Sequence, residues 1–338
     1  MTVHAVGDRA RPFWRKGFLS HYGYAPSMIP WIKANVENYD AVIVNGLWNY
    51  ATFGAAMTLP GGATPYYVFT HGMMDPWFAR TYPLKHIAKI LFWLFCEGRL
   101  LAGAREVLFT TEEERRLAQG QFPYWRYREK VVGYGSATPP EPSAAQSSAF
   151  RAAVPNLGDG PYLLFLSRIH RKKGCDLLIE AFGKIAAQNP ELDVVIAGPD
   201  EDGWIDKLQA RARKLGIERR IHWPGMLRGD AKWGAYRGAQ AFILPSHQEN
   251  FGIVVAEALS CGIPVLITNR VNIWREVEDG GGGLVESDTQ SGIDRLMGRW
   301  LALSDAARAE MEAKARDVFS AHFDVRKVAP ALLQAIDE

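Results

Sequence analysis

The sequence contains few cysteines and no long apolar run. Cys96, Cys175 and Cys261 lack the close spacing of metal ligands, and an odd number of thiols cannot all pair. We therefore predict buried thiols in a reducing compartment rather than a disulfide framework or a zinc site. The longest apolar run, residues 87–95, is too short to span a bilayer and includes Lys89. The sequence does not predict a membrane-spanning protein.

Three further absences argue against secretion, nucleic-acid binding and dehydrogenase activity. The first residues lack a cationic segment followed by an apolar core, so we do not predict secretion and expect a cytoplasmic protein. The net charge is only +2, and no electrostatic argument favours nucleic acid as a partner. No G-x-G-x-x-G string follows a strand-like run, which argues against an NAD-dependent dehydrogenase.

What the sequence does have is an alternation of strand-like and helix-like segments in two halves. With 338 residues and 48% hydrophobic content, the chain is long enough for two domains. The predicted strands are residues 41–45, 66–70, 106–110, 130–134, 162–166, 193–197, 220–223, 241–244 and 265–268. This alternation predicts an α/β fold with two Rossmann-like, doubly wound parallel sheets.

A segment rich in proline, serine and alanine, residues 136–148, separates the two halves and is typical of a linker. We predict an N-terminal domain over residues 1–148 and a C-terminal domain over residues 149–320, followed by a C-terminal helix over residues 321–338. A second helical pattern, residues 84–104, is apolar around most of its circumference, so we expect it to be buried in the first domain. Because Lys85, His86 and Lys89 lie in this pattern, contact with an anionic membrane surface is the alternative.

The most informative motif is S-H-Q-E-N-F-G-I-V-V-A-E-A-L-S-C-G, residues 246–262. Glu249 and Glu257 flank a loop that runs into an apolar helix pattern. Gly252 leaves room for a ligand beside the backbone, and the first unpaired N–H groups of a helix suit a phosphate. The residues that we predict to bind this ligand are Asn250, Phe251, Gly252 and Ile253. The alternative is an ordinary core-facing helix with a solvated Glu257.

A second motif, S-R-I-H-R-K-K-G, follows the first strand of the second half. It places Arg168 and Lys173 at a strand end, where a planar guanidinium and an ammonium suit a diphosphate. The acidic run Asp200-Glu201-Asp202 is similar to a D-x-D metal site, but its position after a strand favours a loop of solvated acids. We therefore predict no metal.

Two strand ends in the first half carry polar candidates. His71, in the string H-G-M-M-D-P-W, would face the interdomain cleft and hydrogen-bond a sugar or an acceptor hydroxyl, although a lone histidine after a strand is more often structural. Asn45 and Trp48, in N-G-L-W, are candidates for acceptor binding. In the second half, backbone groups of the loop at Met226 are candidates for holding a nucleobase, and a Pro-Gly turn is the simpler explanation.

The string from Glu249 to Glu257 resembles the E-x7-E signature of retaining glycosyltransferases of family 4, which have the GT-B architecture. The strings around Arg168 and His71 also resemble family patterns, with Ser167 replacing a usual glycine. The resemblance implies two Rossmann-like domains facing a cleft, with the last helix crossing back to the first domain. It also implies sugar transfer from a nucleotide diphosphate sugar to an acceptor hydroxyl with retention, without a metal or cofactor.

The resemblance assigns a role to each candidate. Glu249 would hold the donor sugar's hydroxyls and Glu257 the ribose, while Arg168 and Lys173 would bind the diphosphate. The acceptor would be a glycan or a lipid-linked intermediate of polysaccharide or glycoconjugate biosynthesis. Peripheral contact with the inner membrane face would accompany a lipid-linked acceptor.

The sequence departs from the family at its start. Family members usually have a strand, a Gly-Gly loop, a helix and a second strand before the segment that begins at Tyr39. Only 38 residues precede Tyr39, and residues 1–6 could supply one strand at most. We therefore predict a shortened, incomplete N-terminal domain with an exposed sheet edge. A catalytically weak nucleotide-sugar-binding or partner subunit is the alternative function, and a sugar-nucleotide epimerase is disfavoured by the E-x7-E string.

Overall fold

A computed structural model describes residues 22–201 and 203–337 of the chain. The chain forms two compact units. Unit 1 comprises Met1–Gly133 with Leu332–Glu338, and unit 2 comprises Tyr134–Ala331. Each unit contains one sheet, and every strand pairing in both sheets is parallel. The predicted α/β fold of two parallel sheets is therefore confirmed.

The sheet of unit 1 has the order β1-β2-β3-β4 in the described residues. Its strands are β1 (Val42–Asn45), β2 (Tyr66–Phe69), β3 (Glu106–Phe109) and β4 (Glu129–Val131). Its helices are α1 (Met28–Asn35), α2 (Tyr50–Thr58), α3 (Pro76–Thr81), α4 (Pro83–Phe92), α5 (Gly98–Gly103) and α6 (Glu112–Ala118), and the π turn Trp93–Glu97 joins α4 to α5. Val68 and Val107 are fully buried because helices cover both faces of a parallel sheet.

An apolar groove of about 500 Å³ lies along β1, lined by α1, α2 and the strand itself. Among the residues that the structure describes, β1 is the outer strand, and Ile43 is exposed. The predicted strand in residues 1–6 lies outside the described residues. The shortened N-terminal domain therefore stays a prediction.

The sheet of unit 2 has the order β10-β9-β8-β5-β6-β7. Its strands are β5 (Tyr162–Leu166), β6 (Asp193–Ala197), β7 (Ile221–Gly225), β8 (Ala241–Leu244), β9 (Val265–Thr268) and β10 (Gly283–Glu286). Its helices are α7 (Ala144–Ala153), α8 (Cys175–Ile185), α9 (Trp204–Lys214), α10 (Gly229–Gly238), α11 (Ile253–Ser260), α12 (Trp274–Asp279), α13 (Gln290–Leu301) and α14 (Asp305–Val318). The last helix, α15 (Val325–Asp337), follows the π turn Phe319–Phe323.

The strand order of unit 2 reverses between β5 and β8. The chain leaves β5 toward β6 on one side and returns to β8 on the other side. In an open parallel sheet, ligands bind at the carboxyl ends of the strands on either side of such a reversal. The loops after β5 and β8 carry the motifs of Lys173 and Glu249.

The structure corrects four sequence expectations. The strand predicted at residues 130–134 is β4, which pairs with β3 only at Glu129–Val131. The strand β10 was not predicted, because its approach is the glycine run 280–283. Residues 144–148 of the predicted linker lie in α7, and the linker belongs to unit 2. The helix predicted at residues 84–104 exists as α4, the π turn and α5.

The expected burial of the helical segment 84–104 is wrong. Leu84, Ile87, Leu91 and Phe95 are exposed by 81%, 58%, 57% and 74%. Its buried side is formed by other residues, among them Trp93 and Leu100. Apolar residues around the whole circumference predict burial only if neighbouring elements cover every side, and among the described residues of unit 1 none covers this side. No helix in the part of the chain that the structure describes is long and apolar enough to cross a membrane.

Candidate functional site

Three loops of unit 2 meet at the carboxyl ends of β5, β8 and β9. The N–H of His247 donates to the carbonyl of Lys172 at 2.8 Å, and the N–H of Glu249 donates to the carbonyl of Arg270 at 2.9 Å. A Cβ at Gly174 would lie 2.0 Å from the carbonyl oxygen of Pro245. Only a glycine permits this approach, so the loop after β5 lies directly against the loop after β8.

Lys173 and Glu249 form an ion pair within this loop cluster. Nζ of Lys173 donates to Oε2 of Glu249, and the lysine side chain is almost fully buried. A buried ammonium requires a partner because its desolvation is costly. The two residues come from motifs that are 76 positions apart, and the reversal of strand order brings them together. Their combined site offers one cation and one carboxylate to a polar ligand.

The loop after Glu249 continues into the N-terminus of α11. Gly252 precedes the helix with φ of +75°, and a Cβ there would lie 3.2 Å from Val271 and 3.3 Å from Glu249. The first N–H groups of a helix have no acceptor within it, and together they favour an anion. Lys173 and this helix end therefore both place positive charge beside the Glu249 loop.

The other loop residues differ in their surroundings. Phe251 is buried against the rings of Tyr134 and Phe323, with centroids at 5.2 and 5.6 Å, so its side chain contributes to packing. Ile253 is exposed at the start of the helix. Oδ1 of Asn250 lies 3.5 Å from Nδ2 of Asn272, which is buried.

Glu257 lies one turn inside α11 and is not a solvated helix residue. Its Oε1 accepts from Nζ of Lys232 at 2.8 Å, and its Oε2 accepts from the hydroxyl of Tyr236 at 3.0 Å. Burial raises the pKa of Tyr236, so this hydroxyl remains a donor. Both partners belong to α10, and the sequence reasoning missed them because no motif marks that helix.

The side chains of Arg168 and Met226 contact residues other than Lys173 and Glu249. The guanidinium of Arg168 is exposed and pairs with Glu201 at 2.9 Å rather than with Glu249. Met226 follows β7 and is half-exposed, and its Sδ lies 3.0 Å from Nε of Arg228. Whether Arg168 and Met226 bind a ligand stays a prediction.

A second charged cluster adjoins the Glu249 loop. Nδ1 of His247 lies 3.0 Å from Asp288, and Nε of Arg270 donates to the same carboxylate at 3.1 Å. The hydrogen bond to Asp288 raises the pKa of His247. In the sequence, the feature that could have indicated this cluster is that His247, Arg270 and Asp288 each follow a strand.

In unit 1, His71 and Asn45 meet at the ends of β2 and β1. Nε2 of His71 lies 2.9 Å from Oδ1 of Asn45, and the ring stacks on Phe69 with centroids 5.2 Å apart. Burial lowers the pKa of His71, so the imidazole is neutral near pH 7. His71 has φ of +47°, a conformation that is uncommon outside glycine and is found at functional sites.

A buried carboxylate on α6 holds the His71 loop. Oε1 of Glu114 accepts from the hydroxyl of Thr70 at 2.6 Å and from the N–H of Gly72 at 2.5 Å. Its Oε2 accepts from the N–H and the hydroxyl of Thr110 at 2.8 and 2.6 Å. Two of these four donors flank His71, and the other two hold the end of β3 against the same carboxylate. The sequence reasoning missed Glu114, although Thr111 three positions earlier forms a capping signal with it.

Trp48 is held by another buried carboxylate. The backbone N–H of Trp48 donates to Oε1 of Glu97 at 2.8 Å, and the hydroxyl of Thr52 donates to the same oxygen at 2.5 Å. Burial raises the pKa of Glu97 to about 7. The ammonium of Lys89 lies over the Trp48 ring, 5.1 Å from its centroid.

The acidic run after β6 serves local structure. Oδ1 of Asp200 accepts from the N–H of Trp204 at 2.8 Å, and Glu201 pairs with Arg168. Asp202 lies outside the described residues. Within residues 22–201 and 203–337, no group of three or more potential ligands could hold a metal ion.

Two family models match the chain. Residues 147–318 match the model described as glycosyl transferases group 1, and residues 2–135 match a glycosyl transferase 4-like domain. A D-inositol 3-phosphate glycosyltransferase of Xylanimonas cellulosilytica is 34% identical over 207 residues, which are 60% of this chain and 48% of that protein. The chain thus spans about half the length of the curated relatives that it matches.

Solved structures resemble the chain over nearly its whole length. Sucrose-phosphate synthase from Thermosynechococcus elongatus has a TM-score of 0.77 at 18% identity, covering 96% of this chain and 80% of its own. Anabaena HepE in complex with UDP and glucose has a TM-score of 0.76 at 18% identity, covering 95% of this chain and 83% of its own. At this identity the likeness concerns the fold, and it confirms the predicted GT-B class.

Proposed function

Because the chain belongs to the group 1 glycosyl transferases, we propose that it transfers a sugar from a nucleotide diphosphate sugar to an acceptor hydroxyl. The observation that carries this proposal is the buried contact between Lys173 and Glu249 beside the N-terminus of α11. A cation and a helix end stabilise a diphosphate, while a carboxylate accepts hydrogen bonds from sugar hydroxyls. The activity proposed here therefore matches the chemistry of this loop cluster.

In the proposed donor complex, the diphosphate contacts the N–H groups that follow Gly252. Lys173 contacts the same diphosphate, and Glu249 accepts from the donor sugar's hydroxyls. Glu257 accepts from the ribose hydroxyls while Lys232 and Tyr236 hold its carboxylate. Arg168 exchanges its exposed pairing with Glu201 for the diphosphate, at little cost because an exposed ion pair contributes about 0–1 kcal/mol.

We further propose retention of configuration without a metal ion. The leaving phosphate takes the proton from the acceptor hydroxyl as the glycosidic bond breaks and the new one forms on the same face. Lys173 and the end of α11 stabilise the charge that develops on the diphosphate. These groups supply the positive charge that a metal ion supplies in other enzymes.

Unit 1 supplies the acceptor side in this proposal. Asn45, Trp48 and His71 contact the acceptor hydroxyl or the transferred sugar, and the neutral ring of His71 can exchange hydrogen bonds without adding charge. The acceptor is a glycan or a lipid-linked intermediate, and the protein acts in the cytoplasm at the inner membrane face.

Calorimetry with UDP, GDP and ADP tests the donor site, followed by assays of sugar release and transfer with the matching nucleotide sugars. UDP is the first nucleotide to try, since the similar Anabaena protein was solved with UDP and glucose. We expect one nucleotide to bind and its sugar to be transferred by the parent but not by Glu249→Gln, whose amide oxygen can still accept from Lys173 and so keeps the fold. Absence of binding to all three would contradict the donor site. Binding without any release or transfer would favour a nucleotide-sugar-binding subunit.

A further inference from the structure

The surface of α4 and the π turn after it presents an apolar stripe to solvent. Leu84, Ile87, Leu91 and Phe95 follow each other at intervals of three or four residues, so they lie on one side of the helix. All four are more than half exposed. Large apolar side chains in one continuous stripe mark an interaction surface rather than ordinary exposure. We call these four residues the α4 stripe.

The positive charge around the α4 stripe indicates its partner. Between positions 76 and 105 the chain has five basic residues and one acidic residue. The basic residues are Arg80, Lys85, Lys89, Arg99 and Arg105, and the acidic residue is Glu97. Glu97 is fully buried, whereas Lys85 and Arg99 are exposed. The exposed charged residues of this segment are therefore all positive.

We propose that the α4 stripe docks unit 1 on an anionic lipid surface. The apolar side chains would enter the boundary between headgroups and acyl chains, while Lys85 and Arg99 contact lipid phosphates. Helix α4 lies on this surface and does not cross it, since Pro83–Phe92 is too short to span. This inference rests on the proposed membrane contact and deepens it by naming the residues and the lipid charge.

Aromatic residues extend the docking surface. Tyr124 is exposed by 80%, and its neighbour Trp125 donates from Nε1 to the carbonyl of Leu94 at 3.1 Å. Tyr82, at the start of α4, is also exposed. Amphipathic rings of this kind favour the level of lipid headgroups. They therefore continue the apolar stripe at both of its ends.

Charge distinguishes a lipid surface from a second copy of the chain. A symmetric dimer through the α4 stripe would bring Lys85 and Arg99 of one copy toward the same residues of the other. Like charges that face each other oppose association. An anionic bilayer instead gains from every one of these cations.

Co-sedimentation with vesicles tests the inference. The full chain is mixed with vesicles of equal parts phosphatidylglycerol and phosphatidylcholine, or with phosphatidylcholine alone, in the absence of nucleotide. We expect binding to the anionic vesicles that weakens with added salt. The double variant Leu84→Ser with Phe95→Ser should lower the partition coefficient by more than about tenfold. Lys85→Gln should lower it about fivefold.

Leu333→Ser is the matched control, because Leu333 is an exposed leucine on another helix of unit 1. It should leave vesicle binding unchanged. Circular dichroism and thermal melting check that each variant folds, and calorimetry with nucleotide on the same preparations tests the proposed function separately. Intact nucleotide binding without vesicle binding would overturn the lipid inference alone.

Two other results would also overturn the inference. Equal sedimentation of the parent and the double variant would mean that the α4 stripe does not mediate binding. A concentration-dependent dimer in analytical ultracentrifugation, abolished by Leu84→Ser, would identify a second copy as the occupant.

Discussion

The backbone N–H of Gly72 donates to Oε1 of Glu114 at 2.5 Å across 42 positions of sequence. The hydroxyl of Thr70 donates to the same oxygen, so the carboxylate holds the chain on both sides of His71. Glu114 holds the residues on either side of His71 rather than the imidazole ring itself. It acts on the proposed acceptor side by fixing the left-handed backbone of His71, which the isolated chain would disfavour.

Replacing Glu114 with alanine should destabilise unit 1. Four buried donors would lose their acceptor, and we expect the free energy of unfolding to fall by about 3 kcal/mol. Urea denaturation measures the change. Glu113→Ala on the same helix is the control and should stay within about 0.5 kcal/mol of the parent. Equal effects of the two substitutions would contradict the role given to Glu114.

Glu114→Gln should change the titration of His71. The negative charge of Glu114 raises the pKa of His71 against the larger effect of burial, so its removal should lower the pKa further. Proton–nitrogen NMR of the imidazole follows this pKa directly. The Glu113→Gln variant should titrate like the parent. A purely structural role for Glu114 would leave the pKa unchanged in both variants.

Lys173→Met should destabilise unit 2 and abolish nucleotide binding. It leaves Glu249 without its cation in a largely buried site, and we expect a loss of about 3 kcal/mol in the free energy of unfolding. Adding Glu249→Gln to this variant should restore most of the stability but not the nucleotide affinity. Lys172→Met is the control. Recovery of nucleotide binding in the double variant would show that Lys173 only balances Glu249.

Arg168→Ala should weaken nucleotide binding without affecting stability. Its guanidinium is exposed and its ion pair with Glu201 lies at the surface, so the fold does not depend on it. If it moves onto the diphosphate, its loss should raise the nucleotide dissociation constant at least about tenfold. Calorimetry compares this variant with Arg171→Ala, from the same loop. Unchanged affinity would remove Arg168 from the diphosphate site.

Gly252→Ala should strain the loop before α11. The residue has φ of +75°, and the added Cβ would lie within 3.3 Å of Val271 and Glu249. We expect a loss of about 1–2 kcal/mol in the free energy of unfolding, together with weaker nucleotide binding. Gly298→Ala is the matched control, since its Cβ would meet open space inside α13 and should stabilise by about 0.5–1 kcal/mol. A neutral Gly252→Ala would contradict the requirement for glycine.

The stability of unit 1 should fall as the pH rises through the folded-state pKa of Glu97. Burial raises that pKa from 4.5 to about 7, so the folded state holds a proton that the unfolded chain has already released. Protonated Glu97 stabilises the fold fully below pH 4.5. This contribution, up to about 3 kcal/mol, decreases between pH 4.5 and pH 7 and is absent above pH 7. Glu97→Gln should remove this pH dependence in urea titrations at pH 5 and pH 8. A parallel decline in both proteins would assign it to other groups.

Much of the fold follows from local patterns. Nine of the ten strands in the described residues coincide with predicted segments, because an apolar run bounded by turn residues is the usual pattern of a strand in a parallel sheet. The missed strand β10 begins at Gly283, where a run of glycines conceals the pattern. The start of α11 directly after Gly252 was also predictable, since the residue type and the helix pattern coincide.

The contacts within the candidate site were harder to predict from the sequence than the strands and helices were. Glu257 was expected to address a ligand, but nothing marked Lys232 and Tyr236 as the groups that hold it. The exposed side of α4 was predicted to be buried, because periodicity gives the apolar positions and not the neighbours that cover them.

Local patterns were enough to predict the succession of most strands and helices along the chain, the E-x7-E loop and the chemical types of the site residues, since these depend on neighbours in sequence. Three features came from tertiary packing instead: Lys173 meets Glu249, Glu114 holds the His71 loop, and the α4 stripe is exposed. Each of those depends on which strand ends and helix faces become adjacent once the sheets form. That adjacency is set by packing between distant segments, which local patterns do not encode.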